Sequence, residues 1–72
     1  MSSAIFCQLT QIGETAGQVW HTLESSGPLT LAKLAKLVDA PRDMTMQAVG
    51  WLAREDKVEI EGNGRSRVIS LR

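Results

Sequence analysis

Seventy-two residues with eight basic and eight acidic side chains, 43% of them hydrophobic, bound one small domain in which each core side chain matters. The charge balance excludes a tight, sequence-blind nucleic-acid binder built on an excess of Lys and Arg, although not one that uses a local patch. A lone Cys7 excludes an internal disulfide and cannot hold a metal alone, no run reaches membrane-span length, and no signal-peptide pattern opens the chain, so a reduced, cytoplasmic protein is expected.

Residues 1–9 contain Ile5, Phe6, Cys7 and Leu9, too apolar for a solvated tail, and read as an N-terminal arm ahead of a domain over residues 10–72. From Thr10 the pattern becomes helical: Ile12, Ala16, Val19, Trp20 and Leu23 form one stripe and predict helix 1 over residues 11–25. Gly13 and Gly17 lie four apart on one face, each costing about 1 kcal/mol against Ala unless a neighbour approaches closely. Gly27-Pro28 ends the helix. Leu29 suits a strand of one or two residues, and the Thr30 hydroxyl is placed to cap the next helix. In helix 2, Leu31, Leu34, Ala35 and Val38 form the inward stripe, and Lys33 and Lys36 lie outside. After a turn at Asp39-Ala40, Pro41 fits the first turn of helix 3 and Asp43 sits near its positive end. Helix 3 is expected over residues 42–54, with Thr45, Ala48, Val49 and Leu52 inward, Met44 and Trp51 flanking them, and Asp43, Met46, Gln47, Gly50 and Arg54 outward.

The apolar period then changes. Ala48, Val49 and Leu52 keep helical spacing, whereas Val58-Glu59-Ile60-Glu61 alternates as a half-buried strand does, with Val58 and Ile60 inward. The charged joint Arg54-Glu55-Asp56-Lys57 is a solvated turn. Gly62-Asn63-Gly64 supplies a tight hairpin, and residues 65–71 return as a second strand. A three-residue loop would set Glu61 opposite Arg65 and Glu59 opposite Arg67; a four-residue loop would shift the partners. The expected fold is mainly α with a small β-ribbon, a winged helix-turn-helix: a three-helix core plus a C-terminal β-hairpin wing.

The segments Ile12-Gly13-Glu14-Thr15-Ala16-Gly17-Gln18-Val19-Trp20-His21-Thr22-Leu23 and Gly50-Trp51-Leu52-Ala53-Arg54-Glu55-Asp56-Lys57-Val58 resemble a family of short bacterial winged helix-turn-helix proteins of unassigned function. The resemblance covers nearly all of the chain after Leu9. It implies a winged-helix fold, with homodimers as one outcome, and supplies neither a ligand nor a catalytic residue. Asp56 stands where that family usually has Gly.

No constellation for catalysis, cofactor or metal is visible, so an enzyme is not expected. His21 has no sequence-visible Ser, Cys or Asp partner, Cys7 has no neighbouring base or cation, and Gly62-Asn63-Gly64 lacks the Lys-Ser/Thr of a phosphate loop. Trp20 and Trp51 adjoin apolar stripes and suit core packing better than base stacking. Recognition is the better-supported class. Gln47 can pair with adenine, Arg54 ends the outward stripe of helix 3, Arg65 and Arg67 (with Arg72) make the wing basic, and Lys33 and Lys36 are placed for backbone contacts. These residues suggest a small transcriptional regulator that binds double-stranded DNA with modest affinity. The alternative is a protein-interaction or dimerisation module that docks through Met46 and Gly50 or through the apolar arm, which has no place in a three-helix core. Nothing indicates a small-molecule ligand or a membrane partner.

Overall fold

The computed structural model describes residues 3–72, with side chains for residues 8–72 apart from Arg65. Helix α1 (Ser3–Ser26) is followed by strand β1 (Leu29–Thr30), helices α2 (Leu31–Leu37) and α3 (Arg42–Arg54), and strands β2 (Val58–Glu61) and β3 (Val68–Leu71), with a 3-10 turn over Gly64–Ser66 between the last two. The architecture is the winged helix anticipated from the sequence, three helices against a three-stranded antiparallel sheet ordered β1-β3-β2.

Helix α1 begins well before residue 11, so residues 3–9 have helical backbone. Neither Gly nor Pro interrupts the chain before Gly13, and nothing there stops a helix. The apolar period fades in that part because there is no core to face: Gln8, Leu9, Thr10 and Gln11 are all exposed. Burial starts at Thr15 and Ala16 and continues through Val19 and Leu23. The helix ends as expected at Gly27, whose φ of 79° suits a residue without Cβ and whose N–H donates to the Leu23 carbonyl at 2.8 Å.

The Thr30 hydroxyl accepts from the Lys33 N–H at 3.3 Å, which caps α2. Pro41 lies just outside α3 as its N-cap rather than in its first turn. Its carbonyl accepts from both the N–H and the hydroxyl of Thr45, at 2.9 and 3.1 Å. That second bond lets a fully buried threonine sit in the core with its oxygen satisfied. Thr45, Ala48, Val49 and Leu52 form the buried face of α3, as their spacing predicts. Ala48, Val49 and Leu52 join Val19 and Leu23 of α1, Leu34 of α2 and Ile69 of β3 in one cluster.

Strand β3 is central and pairs with β1 (Leu29 with Ile69, Thr30 with Val68) and with β2 (Val58 with Leu71, Ile60 with Ile69). Ile60 keeps the expected face, shared with Val58 and Ile69, but centrality decides how far each residue is covered. Ile69 is fully buried in the middle strand, whereas its partner Ile60 lies on the edge strand and is 42% exposed. The second wing strand starts at Val68, not Arg65, because residues 62–67 form a longer connection that includes the 3-10 turn. Glu59 therefore faces Ser70 and Glu61 faces Val68, and neither pairing with an arginine is made.

Asp56, in the joint between α3 and β2, has a φ of 64°. Its N–H donates to the Ala53 carbonyl at 3.0 Å, and its carboxylate meets the Arg72 guanidinium at 2.8 Å on the surface. A left-handed residue explains why Gly suits this turn, and Asp tolerates it better than most side chains. Asp56→Val should cost about 1–2 kcal/mol in urea unfolding, since a β-branched residue resists this conformation. Asp56→Gly should stay within about 1 kcal/mol of the parent, because relief of strain offsets an exposed ion pair worth little.

Candidate nucleic-acid interface

Three segments distant in sequence converge at one end of the domain: the start of α2, the start of α3 and the wing turn. Leu31, Ala32, Arg42, Gly64 and Arg67 line a cavity of about 370 Å³ between them. The wing is fastened there by backbone, since the Leu31 N–H donates to the Arg67 carbonyl at 3.0 Å. The turn is held internally. The Ser66 hydroxyl donates to the Asn63 carbonyl at 3.0 Å, and the Arg67 Nε donates to the Gly64 carbonyl at 3.1 Å. Gly62 is required by this geometry, because its φ is 90° and a Cβ would stand 3.2 Å from the Ser66 carbonyl oxygen.

Among the described residues Arg72 makes an ion pair with Asp56, and the His21 Nδ1 lies 3.7 Å from the Glu24 carboxylate. Arg42 and Arg67 are exposed and have no carboxylate partner among those residues. Two arginines among the residues that line one cavity make its surroundings positive and suited to an oxyanion such as phosphate.

Of the described residues singled out from the sequence for DNA contact, Arg67 alone lines this cavity. Gln47 and Arg54 are exposed on the outer face of α3 together with Asp43 and Gly50. A thirteen-residue helix is about 20 Å long, so Arg54 is a helix-length from Arg42. Lys33 and Lys36 are exposed on α2. Arg67 joins the cavity, whereas the side chain of Arg65 lies outside those described. Arg72 does not belong to the wing: its N–H donates to the Lys57 carbonyl at 3.0 Å and its side chain pairs with Asp56.

Two other expectations are corrected. Met46 is half-buried and packs against the core, so it is not part of the outward face of α3. Trp20 does pack against the core, but Trp51 is 49% exposed. Sequence reasoning passed over Arg42, which reads simply as the first residue of a helix. The signal was its position one residue after Pro41, at the leading end of α3 that a helix-turn-helix presents first. No described helix is long and apolar enough to cross a membrane.

A family model described as a winged helix-turn-helix domain (DUF2582) matches residues 7–71. An uncharacterized protein, MJ1608 of Methanocaldococcus jannaschii, is 37% identical over 65 residues, which span 86% of this chain and 91% of that one. Among solved structures, the solution structure of BT2368 from Bacteroides thetaiotaomicron aligns with a TM-score of 0.75 and 39% identity over 86% of this chain and 76% of its own. The crystal structure of an ArsR family transcriptional regulator aligns with a TM-score of 0.64 and 26% identity over 90% of this chain and 71% of its own.

Proposed function

The chain belongs to the winged helix-turn-helix family whose model it matches, and on that premise we propose that it binds double-stranded DNA as a small transcriptional regulator. The observation that carries this reading is the pair Arg42 and Arg67, free of carboxylate partners among the described residues and lining one cavity between α2, α3 and the wing. The likeness to a protein named as a transcriptional regulator supports it. In this reading Arg42 and Arg67 neutralise backbone phosphates, Lys33, Lys36 and Arg65 add weaker contacts, Arg54 meets phosphate at the far end of α3, and Gln47 reads adenine in the major groove. Asp43 opposes phosphate at the leading end of α3 and Gly50 offers no side chain. Non-specific dissociation constants on the order of 10⁻⁴ to 10⁻⁶ M at physiological salt follow from so small a set of cations.

Base reading is tested with Gln47→Ala on a duplex selected from a random pool. Fluorescence anisotropy should show a loss of about 1–3 kcal/mol on the selected duplex and little change on unselected DNA. Equal losses on both duplexes would remove Gln47 from base reading. A second reading, a module that docks proteins and not DNA, draws on Leu37 and Ile60, large apolar side chains left exposed away from the cavity. It predicts no salt-dependent DNA binding.

A further inference from the structure

We propose that the groove between α1 and α3 binds a small planar aromatic carboxylate. The proposal stands whether or not the protein binds DNA.

The groove has a volume of about 530 Å³, within the range that small-molecule sites occupy. Gly13 and Gly17 of α1 line it, as do Trp51 of α3, Lys57 of the joint that follows α3, and Arg72 just after β3. Two glycines four apart weaken a helix relative to Ala, and close approach of a neighbour is the usual compensation. Here no neighbour approaches, because a Cβ at either position would meet nothing within 4 Å. Within the described chain these glycines have no packing role. What they do is keep open the groove that Trp51, 49% exposed, also lines.

The lining selects the chemistry of the ligand. Both tryptophans of the chain border the groove. Trp20 packs partly against the core, whereas Trp51 leaves nearly half its surface open for a flat ring to stack on. His21 lies beside Trp20, with ring centroids 5.5 Å apart, and lengthens the aromatic wall. A slot between an indole and a helix side stripped to its backbone suits a planar ring better than a branched or bulky group.

The polar lining carries an excess of positive charge. Asp56 is the one carboxylate among the lining residues, and the Arg72 guanidinium already holds it at 2.8 Å. Lys57 has no carboxylate partner among the described residues. The backbone fixes it beside Arg72, whose N–H donates to the Lys57 carbonyl at 3.0 Å. A carboxylate entering the groove accepts a charge-assisted hydrogen bond from the Lys57 ammonium and leaves the existing ion pair intact. A cationic ligand would meet Lys57 with no free carboxylate to balance it.

The probe is β-naphthoate, titrated into the ¹⁵N-labelled full chain without DNA. Both indole N–H signals and the amides of residues 13–21 and 51–57 should shift along one saturable curve. The uncharged β-naphthamide and the non-aromatic cyclohexanecarboxylate should each bind at least about tenfold more weakly. Gly17→Leu fills the slot and should weaken β-naphthoate binding at least about tenfold. It should melt no lower than the parent, since Leu is the better helix former and finds open space there. Lys57→Gln, at an exposed position, should bring the carboxylate and the amide to within about threefold of each other, because the charge-assisted bond is lost. No saturable shift with the probe in the millimolar range would overturn the proposal. So would shifts centred outside the groove, an amide that binds the parent as tightly as the carboxylate does, or a Gly17→Leu protein that binds as the parent does.

Discussion

Replacing Arg42 and Arg67 together by Ala is expected to lower affinity for every duplex by about 3 kcal/mol, roughly a hundredfold, because each supplies a charge-assisted hydrogen bond worth about 1.5 kcal/mol or more. The loss should be the same on selected and random DNA, since phosphate recognition carries no sequence information. The slope of log affinity against log salt should flatten by about 2, close to 0.9 for each phosphate no longer neutralised. Neither side chain is in the core or paired with a carboxylate among the described residues, so the double variant should melt near the parent. Arg67→Lys separates charge from placement. It keeps the cation and loses the Nε bond to the Gly64 carbonyl, and should fall between the parent and Arg67→Ala. An unchanged salt slope in the double variant would show that these arginines do not meet phosphate.

Leu34→Ala should destabilise the domain by about 2–5 kcal/mol. Leu34 is fully buried and sits where α2 meets the core cluster shared by α1, α3 and β3. For a small domain whose total stability is about 5–15 kcal/mol, that loss leaves a substantial unfolded fraction under mild conditions. Leu37→Ala, one turn further along the same helix, removes a side chain that is 54% exposed and should cost no more than about 0.5 kcal/mol. Urea denaturation of the two variants therefore measures which face of α2 is inside. Equal losses would mean that α2 is rotated from the orientation described.

That contrast is legible from residue spacing, which places Leu31, Leu34 and Val38 on one stripe and leaves Leu37 off it. The buried face of α3 and the change to strand at Val58 are legible for the same reason: a regular element facing a core prints its period on the sequence. Where an element has no core to face, the print is missing. The start of α1 is the example, since Leu9 and its neighbours are helical yet exposed. The exposure of Trp51 depends on what α1 sets opposite it, and two glycines provide nothing to cover an indole. The wing loop escapes the same reading because Gly62-Asn63-Gly64 suits short hairpins, whereas the turn extends through Arg67 with a 3-10 segment. That extension decides whether Glu59 and Glu61 quench the arginines or leave Arg67 to join Arg42. Such convergence depends on strand register, which a single sequence specifies weakly where one side of a ribbon is solvated.

The central claim is that DNA meets the end of the domain where α2, α3 and the wing turn converge. A titration of ¹⁵N-labelled protein with a random duplex at low salt, followed by amide chemical shifts, tests it most directly. The shifts should be largest at residues 31–33, 42–47 and 62–67, should be small around Trp20 and Trp51, and should disappear as salt is raised. Shifts confined to the α1 groove, or none at any salt, would contradict the claim.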